Sequence, residues 1–252
     1  MPLDVQRIRS QRPQNELHYF RSIGSTMTEA GRLAGAGAPH GTVVIADEQT
    51  AGVGRLGRAW QSHADAGIYC SIVLRLPLTA DALPIATLML GLAAAEAIQR
   101  ATGLACDLRW PNDVLVRGRK IAGILAHLVG DCIISGIGIN VNQTEFPDDL
   151  RTPATSVRME SGRPGLREEI VIALLESLDH CCSLLISDGP SAILRAFTAA
   201  SSYVANRRVL LDDSGKRGLT CGLDENGFLL IRLDSGQIDR VVAGGVRPDP
   251  AP

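Results

Sequence analysis

The sequence lacks a strong excess of charge of either sign. Its 252 residues carry 25 Lys and Arg against 27 Asp and Glu, a formal net charge of -2, and such a chain has no general affinity for polyanions. A nucleic acid is therefore a disfavoured partner. With 45% hydrophobic and 21% charged residues, the composition is that of an ordinary soluble globular protein.

The sequence also lacks the cysteine and histidine spacings of metal sites. Its six cysteines form no C-x-x-C pair and its five histidines form no H-x-x-x-H pair, so neither a structural nor a catalytic zinc is expected. The cysteines fall mostly in apolar runs, which favours buried, reduced thiols and a cytoplasmic protein; they are Cys70, Cys106, Cys132, Cys181, Cys182 and Cys221.

Long hydrophobic runs are missing as well. The first residues, MPLDVQRIRSQRPQ, carry scattered charges, which argues against a secretory signal. The most apolar window, residues 82–95, is too short to cross a bilayer and leads into Glu96 and Arg100. We therefore expect a buried helix there and no membrane partner. Internal repeats are absent too, which excludes a solenoid.

Residue patterning predicts a mixed α/β domain followed by a small β-barrel. We assign no element to a polar N-terminal extension, residues 1–16, and place the main domain at 17–203 and the barrel at 204–247. In the barrel region, short β-like runs are separated by Asp-Ser-Gly and Glu-Asn-Gly turns.

Within the main domain, capping and periodicity signals predict a short helix, a long helix and a broken pair of helices. A capping box at Thr26–Glu29 should open the first. Strands are expected at 18–23, 42–48 and 68–76, helices at about 82–102 and 166–200 with a break near Gly189-Pro190, and a meander of short strands between residues 105 and 142.

A glycine loop at residues 52–57 matches the G-x-G-x-x-G pattern of dinucleotide sites. Such a site requires the last glycine to open a helix, but residues 58–67 have no helical stripe and lead directly into a strand. The loop should therefore join strand to strand, which disfavours NAD. Arg55 and Arg58 suit the capture of a phosphate or carboxylate, although a solvated hairpin loop explains them equally well.

Three further motifs are weaker indications of a ligand site. The sequence Trp110-Pro111-Asn112-Asp113 either holds a nucleotide or Mg²⁺ or forms an Asn-Asp turn beside a core tryptophan. Lys120 is a single cation entering an apolar strand, and a surface lysine is the alternative. Gly136 and Gly138 leave one face of a strand bare, either for a flat ligand or as part of a bulge.

Five motifs in register together resemble the biotin protein ligase family. They are Gly24-Ser25-Thr26, the segment from Glu48 to Trp60, Trp110-Pro111-Asn112-Asp113, Arg119-Lys120-Ile121-Ala122-Gly123-Ile124-Leu125, and Gly136-Ile137-Gly138-Ile139-Asn140-Val141-Asn142. The resemblance covers residues 18–247. It implies an α/β (α+β) catalytic domain with a mixed sheet, related to class II aminoacyl-tRNA synthetases, and a C-terminal SH3-like barrel.

The resemblance also implies a reaction in two steps. Biotin and ATP, with Mg²⁺, give biotinyl-5′-AMP, and a lysine of a biotin carboxyl carrier protein, a subunit of acetyl-CoA carboxylase or of a related biotin-dependent carboxylase, then takes the biotin. By position, the biotin side comprises Ser25, Thr26, Met27, Gln49, Val53, Gly54, Arg55 and Lys120. Polar groups are needed there because the ureido ring would otherwise be buried unpaired.

The nucleotide side implied by the resemblance surrounds the phosphates. It comprises Gly52, Arg55, Arg58, Trp60, Asn112, Asp113 and Asn140, with Asp113 as a candidate Mg²⁺ contact. Lys120, Arg55 and Arg58 are the candidate catalytic residues, and Lys120 would touch both the biotin carboxylate and the α-phosphate. A closed loop 51–60 would shield the acyl-adenylate from water.

Four positions depart from the family pattern. Val53 replaces a common Arg, Met27 a common Asn, Arg109 a usual Lys and His127 a frequent Glu. About 24 residues precede Ser25, too few for the DNA-binding domain of bifunctional members, so we expect a monofunctional ligase without specific DNA binding. The sequence is compatible with a homodimer and does not determine the oligomeric state.

Two other functions are alternatives to a biotin ligase. A lipoate or octanoate ligase or transferase shares the catalytic fold and the lysine chemistry. A non-catalytic module that senses biotin is the alternative outside enzymes, and the presence of Arg55, Arg58 and Lys120 argues against it.

Overall fold

The computed structural model describes residues 1–249, except for the side chain of Ala80, and this part of the chain forms two β-sheets and six α-helices. The helices are α1 (Val5–Gln11), α2 (Thr26–Gly35), α3 (Leu83–Thr102), α4 (Val157–Ser161), α5 (Arg167–Asp188) and α6 (Pro190–Ala199). The strands are β1 (Leu17–Phe20), β2 (Val43–Ala46), β3 (Gly67–Leu74), β4 (Asp107–Arg109), β5 (Asp113–Val116), β6 (Arg119–Val129), β7 (Cys132–Asn140), β8 (Ala205–Leu211), β9 (Arg217–Leu223), β10 (Leu229–Leu233), β11 (Ile238–Val241) and β12 (Val246–Pro248).

The larger sheet is mixed and has the order β1-β2-β3-β7-β6-β5-β4. Strands β1 and β2 run parallel, and the other neighbours are antiparallel. The predicted meander is confirmed, because β4 to β7 are neighbours in chain order. The predicted fold class, a mixed-sheet α/β domain with a further small β unit, is confirmed as well.

Helices cover both faces of the larger sheet. On one face, α3 packs against α5, α6 and the central strands, and the fully buried Leu88, Met89 and Leu90 place its apolar run in the core. Burying each such side chain stabilises the fold by about 1.5–3 kcal/mol. On the other face, α2 covers a smaller cluster that contains Val44 and Val73.

Helix α5 is long and apolar enough, by length and composition alone, to cross a membrane. Most of it is buried inside the protein, including Ile170, Leu174 and Leu178. It therefore serves as a core helix in this fold. The predicted break is confirmed, since α5 ends at Asp188 and α6 begins at Pro190.

The second sheet is antiparallel, with the order β11-β10-β9-β8-β12. Its inner residues Val209, Leu229 and Ile231 join the same hydrophobic core as the main domain. Trp110 also connects the two parts, because its Nε1 donates to the carbonyl of Gly227 at 3.0 Å. The sheet is thus held firmly against the strands that carry the W-P-N-D motif.

Two local expectations were wrong. Residues 1–16 contain α1, which is stabilised by the cap of Asp4 on the Arg7 amide and by the full burial of Ile8. Helix α2 has Ser25 as its N-cap residue and no side-chain cap. The Thr26 side chain instead bonds to Gln49 and Ser71, so tertiary contacts replace the predicted capping box.

Candidate active site

The glycine loop joins β2 to β3 and folds back on itself as a hairpin. Trp60 N donates to Gly52 O at 2.9 Å, and Gly54 N donates to Arg58 O at 2.7 Å. A single 3₁₀ turn at Arg55–Gly57 forms the tip. No helix follows, so the predicted strand-to-strand connection is confirmed and the geometry of a dinucleotide site is absent from this described segment.

Gly52 lies at the base of this hairpin, where a side chain would not fit. A β carbon there would come within 2.6 Å of Trp60 O and 2.9 Å of Ser62 Oγ. The glycine therefore permits the two arms to meet. Gly52 does not border either of the cavities described below, and the structure places it in the framework of the loop.

A small pocket of about 50 Å³ lies between the loop, α2 and the larger sheet. The eight residues assigned to the biotin side all line it: Ser25, Thr26, Met27, Gln49, Val53, Gly54, Arg55 and Lys120. They come from four separate parts of the chain. The fold thus brings the whole set together.

The polar wall of this pocket is a chain of hydrogen bonds. Gln49 Oε1 accepts from Thr26 N at 2.9 Å and from Thr26 Oγ1 at 3.0 Å, while Gln49 Nε2 donates to Ser62 Oγ at 3.0 Å. Ser62 Oγ in turn donates to Trp60 O at 3.1 Å, and Thr26 Oγ1 contacts Ser71 Oγ at 2.9 Å. The network orients Gln49 and ties it to the hairpin.

The floor of the pocket is the glycine face of β6 and β7, where Gly123 pairs with Gly138. A β carbon at Gly138 would lie 2.6 Å from Trp60 Nε1, and one at Gly136 would lie 2.6 Å from Met27 Sδ. The bare face predicted from the glycines is therefore present, and Trp60 and Met27 rest on it. The buried Nε1 of Trp60 has no hydrogen-bond partner among the described residues.

Lys120 enters the site at the start of β6. Its Nζ lies 2.5 Å from Oδ1 of Asp113 and 5.4 Å from the centroid of the Trp60 ring. Arg109 approaches the other carboxylate oxygen of Asp113 at 2.5 Å. Burial would raise the pKa of Asp113, but the two cations outweigh it and lower that pKa.

The backbone around Lys120 is clamped by a neighbouring loop. Lys120 N donates to Pro153 O at 2.8 Å, and Thr155 N donates to Lys120 O at 2.9 Å. Asn140, which is 6% exposed, donates from Nδ2 to Thr155 O at 3.1 Å. Asn140 therefore supports the segment that positions the lysine.

Arg55 reaches from the hairpin to the W-P-N-D motif. Its Nη1 donates to Oδ1 of Asn112 at 3.0 Å, and Asn112 Nδ2 donates to Ile124 O at 2.9 Å. Burial lowers the pKa of Arg55, and the charge of Asp113 partly opposes this. Arg58 is exposed at the tip of the loop.

A larger cavity of about 500 Å³ opens beside the small pocket. Six of the seven residues assigned to the nucleotide side line it: Arg55, Arg58, Trp60, Asn112, Asp113 and Asn140. Gly54, Arg55, Trp60, Asn112 and Lys120 border both spaces. The two candidate subsites therefore meet at Lys120.

Sequence reasoning missed several residues of the site. Ser62 carried no distinctive signal, whereas Ser71 could have been noticed as a polar residue inside an apolar strand. The second sheet and its connecting loops also line the larger cavity, through Asp212, Asp213, Gly244, Gly245 and Val246. Arg151 links it to the cavity loop, because its Nη2 donates to Asp212 O at 2.9 Å.

The described residues do not fit a resident Mg²⁺ on Asp113. Each oxygen of this carboxylate already faces a cation. Within residues 1–249, moreover, no group of three or more His, Cys, Asp or Glu side chains is arranged to hold a metal. The predicted metal contact of Asp113 is therefore not supported.

Comparisons with known proteins agree with one another. The model of the biotin/lipoate A/B protein ligase family matches residues 19–143. The biotin–acetyl-CoA-carboxylase ligase of Mycobacterium tuberculosis is 32% identical, over 97% of this chain and 94% of that protein. The bifunctional ligase/repressor BirA of Bacillus spizizenii is 35% identical, over 87% and 70% respectively.

A solved structure gives the same result. The Aquifex aeolicus biotin protein ligase in complex with biotin and ATP superimposes with a TM-score of 0.80. It is 30% identical, and the match covers 92% of this chain and 97% of that one.

Proposed function

The chain belongs to the biotin protein ligase family, and on this premise we propose that it is an ATP-dependent ligase that forms biotinyl-5′-AMP and transfers the biotin to a carrier protein. The observation that carries this proposal is the meeting of two cavities at Lys120, the smaller lined by the biotin-side set and the larger by most of the nucleotide-side set.

We place the biotin head group against the polar wall of the small pocket. A ureido ring has N–H donors and a carbonyl acceptor, which need partners when they are buried. The hydroxyl of Ser25 and the fixed Gln49–Thr26 pair supply polar groups at this wall. The carboxylate end of the ligand would then point towards Lys120 and the larger cavity.

Adenylation follows from the charges at this junction. A carboxylate oxygen of biotin attacks the α-phosphorus of ATP, a P–O bond forms, and pyrophosphate leaves. Both reacting groups are anionic, so a cation between them reduces their repulsion and stabilises the transition state. Lys120 is suited to that position, and Arg55 and Arg58 can contact the phosphates from the loop.

The second step transfers the acyl group. A neutral lysine amine of the carrier attacks the carbonyl carbon of biotinyl-5′-AMP, an amide forms, and AMP leaves. The hairpin formed by residues 52–60 covers the junction of the two cavities and would limit hydrolysis of the mixed anhydride. The Mycobacterium tuberculosis relative is named for acetyl-CoA carboxylase, so we propose a biotin carboxyl carrier domain of this class as partner.

We also propose that Mg²⁺ enters with ATP as part of the substrate, because nucleotide phosphates supply ligands that the Asp113 carboxylate does not. A cytoplasmic location is proposed from the thiols. All six cysteines are free, and four of them are buried, as is usual in a reducing compartment.

The experiment that tests this function is the exchange of labelled pyrophosphate into ATP, with biotin or lipoate as the acid. We expect exchange with biotin, little with lipoate, and a loss of at least about 100-fold in Lys120→Ala. Lys216→Ala is the matched control, because Lys216 is the only other lysine in the sequence and lies in the turn between β8 and β9, outside both cavities. Exchange with lipoate alone would assign the chain to lipoate chemistry, and exchange with neither acid would favour a binding module.

A further inference from the structure

Arg109 is a buried cation that the proposed mechanism has not used. It is 6% exposed at the end of β4, directly opposite Asp113 on β5. Its Nη2 donates to Asp113 Oδ2 at 2.5 Å and to Thr152 Oγ1 at 2.7 Å. Its Cζ lies 6.0 Å from the centroid of the Tyr203 ring, at the junction with the second sheet.

Asp113 is therefore shared between two cations, one on each oxygen. Lys120 takes Oδ1 and Arg109 takes Oδ2. Lys120 is the more exposed partner, with 24% of its side chain accessible against 7% for Arg109. It also borders both cavities, whereas Arg109 borders the larger one only.

This arrangement matters when a ligand arrives. If Lys120 turns to the biotin carboxylate and the α-phosphate, it must loosen its contact with Asp113. A buried carboxylate left without a counter-ion is strongly unfavourable. Because Arg109 stays bound to the second oxygen, the Asp113 carboxylate keeps a counter-ion when Lys120 moves to the substrate.

We propose that Arg109 is a positioning residue that retains the Asp113 carboxylate while Lys120 exchanges this ion pair for the substrate anions. The inference rests on the proposed function and deepens it. Arg109 acts through Asp113, because both protons of its Nη2 are donated to protein oxygens, those of Asp113 and Thr152.

The geometry also shows how this side chain connects two parts of the site. The guanidinium bonds Asp113 and Thr152 from one nitrogen, while its Cζ lies over the Tyr203 ring. Thr152 belongs to the loop that borders the larger cavity. The same side chain thus fixes the carboxylate and the rim of the cavity.

The test is a double-mutant cycle between Arg109→Met and Asp113→Asn, read by biotin-dependent pyrophosphate exchange and by thermal unfolding. Arg109→Gln replaces Arg109→Met in a parallel cycle, so that poor folding of one variant does not end the experiment. Arg109→Lys tests rescue. Arg208→Met is the control for the loss of an arginine outside the site, because Arg208 pairs with Asp234 at 2.7 Å on the exposed side of the second sheet and lines neither cavity.

We expect Arg109→Met to lower kcat by about 10-fold or more while KM for biotin changes by less than about 3-fold. Arg109→Lys should recover most of kcat. The double variant should be about as active as Asp113→Asn alone, since an arginine that acts through Asp113 has no role once the carboxylate is gone.

Multiplicative losses in the cycle, or a rise in KM for ATP as the main effect, would show a direct phosphate contact and overturn the inference. A lower melting temperature with unchanged kcat would also overturn the inference, because Arg109 would then have only a structural role. Absence of biotin-dependent exchange in the wild type and in Arg208→Met would overturn the proposed function and the inference with it.

Discussion

Trp60 rests directly on Gly138: a β carbon at position 138 would lie only 2.6 Å from the indole Nε1. The two residues are far apart in the sequence and meet because β7 runs along the floor of the small pocket. The contact makes the loop and the sheet two walls of one site. It also explains why a glycine occurs inside a strand, where it weakens the strand itself.

Gly138→Ala should therefore disturb the site more than the fold. The added methyl group must displace the indole, so we expect KM for biotin and ATP to rise by about 10-fold while the strand pairing is kept. Steady-state kinetics and a thermal melt measure the two effects. Gly31→Ala is the control, because nothing lies within 4 Å of a β carbon at that position. Equal kinetics for both variants would contradict the placement of Trp60.

Ser62→Ala should weaken biotin binding. Ser62 is buried and takes the only hydrogen bond described for Gln49 Nε2, so its loss frees the amide to rotate. Removing such a partner costs about 1–3 kcal/mol, which corresponds to a Kd for biotin raised about 5- to 150-fold. Calorimetric titration with biotin measures this, and Ser183→Ala, an exposed position on α5, is the control. An unchanged Kd for biotin in Ser62→Ala would show that the hydrogen-bond network does not contribute to biotin binding.

Arg151→Ala should affect ATP more than biotin. Arg151 joins the loop at the larger cavity to Asp212 of the second sheet, with an ion pair of 2.8 Å. The pair is partly exposed and contributes at most about 1 kcal/mol to stability. We expect a several-fold higher KM for ATP, an unchanged KM for biotin and almost no change in the melting temperature. A selective change in KM for biotin would contradict this assignment.

The stability of the fold should fall in acid because of Asp47. This fully buried carboxylate pairs with Arg167 at 2.5 Å and accepts from Leu3 N and Tyr19 Oη. Burial would raise its pKa, but the bonds from Tyr19 and Arg167 prevail and lower it. Since the folded pKa is below the unfolded value of about 3.9, the stabilisation is present above that value and is lost as the pH falls through the folded pKa.

Asp47→Asn should reveal this contribution. Denaturant unfolding at pH 7 should show a loss of about 3–5 kcal/mol, because the buried Arg167 would lose its 2.5 Å ion pair with Asp47 and keep only the longer one, at 3.8 Å, with Asp65. The variant should also lose less stability than the wild type between about pH 5 and pH 2. Parallel acid-induced losses in the two proteins would assign the effect to other carboxylates.

Local patterns predicted those elements whose signal is contained in their own residues. Helix α3 follows from a run rich in Ala and Leu that outweighs the single Gly91 in its interior, and the meander β4–β7 follows from short β-like runs with turns between them. Helix α1 was missed because its seven residues are too few to be stable alone. Its stability comes from distant partners, such as the ion pair between Arg12, which caps its C-terminus, and Asp179 on α5.

The site residues could be predicted from local motifs, but the contacts between them could not. The motifs brought the right residues to notice, but their contacts depend on register and packing. A register shift in β5 between Val114 and Leu115 pairs Leu115 with Lys120 and leaves Asp113 within reach of the lysine. Neither this shift nor the contribution of Asp212 from the second sheet has a local signature in the sequence.

The central claim is tested most directly by mass spectrometry of a biotin carboxyl carrier domain incubated with the protein, ATP and biotin. The account predicts one biotinyl group on a single lysine of the carrier, formed by the wild type and Lys216→Ala but not by Lys120→Ala unless preformed biotinyl-5′-AMP is supplied. An unmodified carrier with the wild type, or modification that occurs with lipoate and not with biotin, would contradict it.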